Sequence, residues 1–495
     1  MVLAFFCAFL LGACQENLVE PVYFGNVTGT VLDARTNLPL ANAIVTSSPA
    51  TSSYITNAQG KFQIDNVPAG RLALTVSKAD YQQVTANVTV ADGQTADVSV
   101  VLAKSTTAPP ITPTRPAPAD QAPAQPTTLR LSWHATPGSA GDSLRFDVVL
   151  FESNNLSQRT VLNNSRDTAV TVTNLLYNTT YRWQVTARNA TGALARGPVW
   201  SFQTVALPNN RFLYARTVAG NTDIYSSNQA GTAASLVRLT TSAAVETAPQ
   251  LSPNRDLVAY ASNATGQFQL YTMNRDGSNP RQITFLSVEG YSNAGVGYRW
   301  SPDGAQLIYG HYDQLYRINR DGTGLTLLAT APTGRHFREC DWTVQAGGRL
   351  VVQTVGSSVF DAELYLYNVD GTNPTLLVGN LPGRLDSPSF SVDGRSVLYT
   401  RDVAGFNAAS GRQLDAHLFI QRLDGTSTLD VSINVTVPKS IGTNDLTPRF
   451  APDGFHLIFV NAANDDLGPP EVWTADVDGR NRARLFSNAF LPDWK

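Results

Sequence analysis

Charge, histidine, cysteine and helix-forming runs are all scarce in this chain. Only 15% of its 495 residues are charged and the net charge is −3, with arginines scattered singly and no polybasic run. A nucleic-acid binder needs a concentrated basic face, so that class is set aside. Ala/Leu/Glu/Lys stretches at helical spacing are missing, while Thr, Val, Asn, Gly and Pro abound, so the chain reads as almost entirely β. The five histidines form no His-x-His or His-x-x-x-His pair, and no G-x-S-x-G elbow or Gly-rich phosphate loop occurs. No metal site and no cofactor is expected. The apolar run "VLAFFCAFLLGA" is too short to span a membrane and suits the hydrophobic part of a secretion signal.

The three cysteines are placed unevenly: Cys7 within that run, Cys14 at its end, Cys340 far downstream. "LLGAC" resembles the lipobox of bacterial lipoproteins, with Leu11, Gly12 and Ala13 before Cys14. The resemblance implies a signal peptide over 1–13, acyl chains on Cys14, and attachment in the periplasm or on the outer-membrane surface. Two or three acyl chains anchor stably where one does not. One feature departs from the pattern, since no Lys or Arg precedes the run. Cys340 is then left as an unpaired, buried thiol. The Asn-x-Ser/Thr triplets at Asn26, Asn87, Asn178, Asn189 and Asn434 are what a Thr-rich β protein produces by chance.

Residues 24–103 alternate apolar and polar positions, with turns at Gly60 and Pro68–Gly70. Gly29, Val31, Asp33, Pro39, Leu40, Ala43, Val45, Gly60, Lys61, Phe62, Pro68, Gly70 and Tyr81 carry a resemblance to the carboxypeptidase regulatory-like domain, a small β-sandwich. Such domains act as spacers, and no chemistry is assigned here. The Pro-rich segment over 104–126 reads as an extended, semi-rigid tether. Residues 127–205 resemble a fibronectin type III domain through Trp133, the "LLYNTTYRWQV" region with Tyr181, and the closing "WSFQT". Trp133, Tyr181 and Trp183 are expected in its core, and His134 outward on an alternating strand.

From residue 208 one phrase recurs. A full unit reads "GYRW", the turn "SPDG", strands "QLIYG" and "QLYRIN", the turn "RDG", and "LTLLAT". The second Asp-Gly predicts a two-residue hairpin with positive φ. The leading apolar position recurs at Leu251, Trp300, Trp342, Phe390, Phe450 and Trp494. The later turn recurs at Gly277, Gly322, Gly371, Gly425 and Gly479, each after an Asp. A period of roughly 40–60 residues is that of a propeller built from four-stranded sheets. The final "FLPDWK" supplies the strand that "RFLYARTVAG" lacks in front, which predicts six blades closed by pairing of the last and first strands. Pro249, Ser301–Gly304, Pro388, Pro448, Pro492 and the Asn-x-Asp-Gly turn resemble the TolB-like propeller family over 208–495. "SPNRD" at 252–256 and "TVQAGG" at 343–348 lose the first Asp-Gly, and the loop over 401–419 lengthens one blade. The fold class is therefore all-β, with two small sandwiches followed by a closed six-bladed propeller.

Turn chemistry accounts for the repeated aspartates without calcium; "DVDGRN" lacks the further acids and terminal Glu of a calcium loop. In a propeller, residues just before each leading position gather at the mouth of the central channel. Here these are Glu246, Tyr291, Asn293, Arg335, His336, Arg338, Glu339, Asp341, Arg384, Asp386, Asn444 and Asp445. Mixed Arg and carboxylate there can bind a sugar, a peptide terminus or a carboxylated ligand. The same charges can equally pair with one another and leave a scaffold without a ligand. His336 with Glu339 and Asp341 is the set an enzyme would use with a metal, whereas His311, His417 and His456 read as structural. The expected function is an envelope lipoprotein whose propeller binds a protein or glycan partner; a carbohydrate-active or peptide-cleaving enzyme is the alternative.

Overall fold

The computed structural model describes residues 23–48, 53–104, 108–139, 141–153, 158–228, 235–289, 294–433 and 438–495. The signal peptide over 1–13, Cys14, Tyr291, Asn293 and Asn434 lie outside them. The chain forms two compact units, 1–206 and 207–495.

In the first unit, Phe24–Asp33 buries every second residue, which is what strict alternation along a half-buried strand dictates. It lies between Lys61–Pro68 and Thr95–Leu102, and a second sheet of four strands covers its apolar face. Val27, Val31, Val45, Ile64, Leu74 and Leu102 form the shared core. Sterics explain two of the motif glycines. A Cβ at Gly29 would lie 2.5 Å from the Phe62 ring, and one at Gly60, where φ is 68°, would lie 2.6 Å from Val31 O. Asp33 accepts the amides of Arg35 and Thr36 and the Tyr81 hydroxyl, each at 2.8 Å. These bonds, led by the Thr36 amide, hold its carboxyl well below the usual range.

The second sandwich begins earlier than the sequence predicts. Thr114–Ala117 pairs with Leu129–His134, and Ala122–Gln125 pairs with Trp200–Thr204. The stretch read as tether through 126 thus contributes two short strands. Both sit at sheet edges, where a proline's missing N–H costs no ladder bond. Trp133, Trp183, Trp200 and Phe146 fill the core, with Trp183 and Trp200 ring centroids 4.8 Å apart. The Tyr181 hydroxyl accepts the Leu176 amide at 2.9 Å, and His134 is exposed.

Among the described residues, the second unit forms six four-stranded antiparallel sheets. Their leading strands are β1 (Glu246–Leu251), β2 (Tyr298–Trp300), β3 (His336–Thr343), β4 (Leu385–Phe390), β5 (Thr443–Phe450) and β6 (Phe490–Trp494). Each of β1 to β5 heads a sheet completed in order by the three strands that follow it in the chain. β6 instead pairs back onto Phe212–Val218, with Trp494 opposite Phe212 and Asp493 opposite Leu213. Among the described residues no sheet closes on itself. Successive leading strands touch: β3 meets β2 and β4, β5 meets β4 and β6, and β6 meets β1. Gln250 of β1 donates to Tyr298 O at 2.7 Å and accepts from Trp300 Nε1 at 3.2 Å, joining β1 to β2.

The repeated turns are self-contained. Ser301 Oγ donates to Asp303 at 2.6 Å, and the Asp303 carboxylate accepts the Ala305 amide at 3.0 Å. Asp321 accepts the Thr323 amide at 3.0 Å and its hydroxyl at 2.6 Å, and Asp370 and Asp424 repeat both distances on Thr372 and Thr426. The second turn differs from the two-residue hairpin expected. Gly322 N donates to Asn319 O at 2.8 Å and Asn319 N to Thr323 O at 2.9 Å, and Gly322 alone has positive φ, 82°. It is a three-residue connection with a left-handed glycine, which leaves Asp321 in ordinary backbone space and free to cap the turn.

Candidate functional site

The N-terminal halves of the leading strands enclose a cavity of about 690 Å³. Local backbone geometry makes this possible. The residue three before the leading apolar position has positive φ at Ala248, Gly297, Ser387, Thr447 and Leu491, and pairing slips a register there in β1, β4 and β5. Each bulge turns neighbouring side chains to one side and bends the strand. In β3 the register slips between Phe337 and Cys340, and both Arg338 and Glu339 reach the cavity. The apolar lining comes from Val245, Phe268, Val296, Leu446, Phe490 and Leu491, the polar lining chiefly from β3, β4 and the 401–419 loop.

Most charges on the wall neutralise one another. Arg338 Nε lies 3.1 Å from Glu289 Oε1, a charge contact without hydrogen-bond alignment, and its Nη1 lies 3.6 Å from Asp386. Arg384 pairs with Asp386 at 2.5 Å, and Gln353 donates to the same carboxylate at 3.0 Å. Glu339 is buried and accepts both the amide and the hydroxyl of Ser387 at 3.2 Å. Burial, then the nearby Asp386 charge, raises its pKa despite Arg449 and Arg338. Asn444 accepts the Ala416 amide and donates to Gln413 O, both at 2.8 Å, tying the 401–419 loop to β5.

Among the described residues, the other expected ones do not line this cavity. Glu246 is buried behind it, hydrogen-bonded to Ser242, and burial raises its pKa. Arg335 turns to its own sheet, 2.8 Å from Asp361 and 3.1 Å from Glu363. His336 lies near Arg335 and Arg338; burial and then those charges lower its pKa. Asp341 faces a separate cavity of about 300 Å³ at the C-terminal halves of the leading strands. There it pairs with Arg299 at 2.9 Å and accepts the Phe390 amide at 2.7 Å. The set His336, Glu339 and Asp341 is therefore not brought together: Glu339 lines the first cavity, Asp341 the second and His336 neither. Asp445 is fully buried against Arg482.

Sequence reasoning missed the groups that face the cavity without a protein partner. Arg412 lines it, half-buried, with no ion pair or hydrogen bond among the described residues. Gln413 Nε2, Thr400 Oγ1 and Thr447 Oγ1 are buried and likewise lack a partner. The one available signal was the length of the 401–419 loop. Asp402 clips its base, accepting the amides of Ala404 and Asp415 at 3.0 Å and of Leu414 at 2.7 Å. Asn464 adds a 2.7 Å bond to Leu414 O.

His417 secures the same base, 2.8 Å from Asp430 and 3.2 Å from Asp415, which Lys439 also holds at 2.7 Å. Burial opposes the imidazolium, but the Asp430 bond and the fields of Asp430 and Asp415 outweigh it and raise the pKa above 6.5. Its stabilisation is complete below the unfolded value of 6.5 and is lost as pH rises through the higher folded value. Amide exchange at 402–417, corrected for intrinsic rates, should therefore speed up above that pH, and His417→Gln should remove the dependence. An unchanged pH profile in the variant would exclude His417 as the cause.

Two segments carry recognised domains. Residues 26–103 match the carboxypeptidase regulatory-like domain and residues 116–203 the fibronectin type III domain. More broadly, an uncharacterized protein of Agrobacterium fabrum is 25% identical over 203 residues, covering 39% of this chain and 59% of that protein. The chain thus spans about three fifths of the length of the curated relative it matches. Among solved structures, TolB from Acinetobacter baumannii is similar with a TM-score of 0.45 at 13% identity, covering 63% of this chain and 79% of that one. A putative TolB from Agrobacterium tumefaciens is similar with a TM-score of 0.37 at 16% identity, covering 70% and 90%.

Proposed function

We propose that residues 207–495 form a closed six-bladed propeller that binds an envelope protein or glycan in the cavity between its leading strands. The chain is a lipoprotein acylated at Cys14, and its two sandwiches space the propeller from the membrane. One observation carries the binding reading: a 690 Å³ cavity in which an apolar wall meets polar groups left without protein partners. Ligand pockets combine these two features. Closure is supported by the pairing of β6 with Phe212–Val218 and by the contacts of β6 with both β5 and β1.

The test is a plug. Ala294 is exposed and lines the cavity, so Ala294→Trp fills the opening without disturbing a strand. Arrays of defined peptides and envelope oligosaccharides should contain a class that binds the native protein and not this variant. Absence of any binder, or binding that survives the plug, would sink the reading. Loss of radiolabelled palmitate in Cys14→Ser tests the anchor separately.

A further inference from the structure

We infer that the cavity recognises the free C-terminal carboxylate of an extended polypeptide ending in an apolar residue, with Arg412 as its anion-binding group. The inference rests on the binding reading and adds the ligand class to it. The other guanidinium groups on the wall are committed, Arg338 to Glu289 and Asp386, and Arg384 to Asp386 and Gly411 O. Arg412 has no partner among the described residues and sits beside a second unmatched donor in the chain, Gln413 Nε2. The Gln413 carbonyl is fixed by Asn444, which anchors this donor pair on the cavity wall.

The Arg412 guanidinium is the donor open to the cavity, and the matching ligand group is a planar anion that takes a paired N–H fork. Charge selects among anions. Asp386 and Glu339 line the same cavity and exposed Asp466 stands on it, so a doubly charged phosphate meets about twice the repulsion that a single carboxylate does. The apolar lining from Phe268, Val245, Val296, Leu446, Phe490 and Leu491 then calls for a hydrocarbon group close to the carboxylate. A C-terminal Leu or Phe carries both on one carbon. A uronic acid carries the carboxylate but sets ring hydroxyls against the apolar wall, where they find no acceptor.

Calorimetric titration of the full chain with N-acetylated tetrapeptides ending in leucine, as free acid and as amide, tests this. The acid should bind, and both amidation and Arg412→Ala should weaken binding by about tenfold or more, the loss of one charge-assisted hydrogen-bonded pair. Arg412→Ala should leave the amide's affinity unchanged, and Arg412→Lys should restore part of the preference for acid. Because Arg412 lies in a loop outside every strand, these variants keep the native fold. Equal binding of acid and amide, with both lost in Ala294→Trp, overturns the carboxylate assignment and leaves the binding reading intact. Binding of a uronic-acid trisaccharide in place of every peptide acid overturns the peptide class. No binding of either overturns both inferences.

Discussion

Replacing Asp445 with alanine should lower the unfolding free energy of the 207–495 unit by about 3–5 kcal/mol, the cost of leaving a buried charge unpaired. Asp445 and Arg482 form a two-pronged ion pair, with contacts of 2.8 and 2.9 Å and side chains 0% and 4% exposed. The carboxylate also accepts the Ser432 hydroxyl at 2.7 Å and the Asn461 amide at 2.9 Å. Removing Asp445 strands the Arg482 guanidinium, which packs 4.8 Å over the Phe459 ring with its side chain 4% exposed. Urea unfolding reads the effect as a fall in midpoint. The double variant Asp445→Leu/Arg482→Met should recover much of the loss, because it removes both charges together. Arg422→Ala is the contrasting case, since Arg422 and its partner Asp424 are both about half exposed and surface pairs contribute about 0–1 kcal/mol. Similar losses for Asp445→Ala and Arg422→Ala would mean that the Asp445 pair is not sealed from solvent.

Asp445 also marks how far a sequence alone reaches in this protein. The Ser-Pro-Asp-Gly and Asp-Gly turns are local: Asp303, Asp321 and Asp424 bond residues two positions away. Spacing therefore revealed the four-stranded sheets and even the pairing of "FLPDWK" with the strand after residue 211. The site depends on partners far away in the chain. Arg482 is 37 residues from Asp445, and Glu289 is 49 from Arg338 by number, so nothing nearby shows that these charges are already matched. Bulges at Ala248, Ser387 and Thr447 also shift which neighbours face the cavity, and a strict alternation count cannot see them. Arg338, Glu339, Arg384, Asp386 and Asn444 line one cavity, as a paired wall and a loop anchor. Arg412 and Gln413 sit in a loop and Thr400 on a second strand, positions that no repeat marks, whereas Thr447 sits at the β5 bulge. The tether failed for a related reason. Proline spacing signals extension, and an edge strand is extended too; only the pairing partner tells them apart.

Deleting Phe490–Lys495 should have the largest effect of any change to the second unit. The segment supplies β6, whose loss leaves Phe212–Val218 as a bare sheet edge, a template for aggregation. Leu251 N loses its 2.8 Å bond to the Asp493 carboxylate, and Phe212 loses the Trp494 ring 5.0 Å away. Trp494→Ala alone should cost about 2–4 kcal/mol, the low side of the range for large aromatic truncations because the ring is partly exposed. The deletion should exceed that sum of single contacts, since β6 touches both β5 and β1. Hydrogen exchange distinguishes the architectures. In a closed ring, protection falls together in Glu246–Leu251 and Thr443–Phe450, the strands flanking the missing one. In an open row of sheets, only Phe212–Val218 and its own partners loosen. Exchange confined to that one sheet, with an unchanged urea midpoint, would remove the closed propeller and with it the reason the cavity exists.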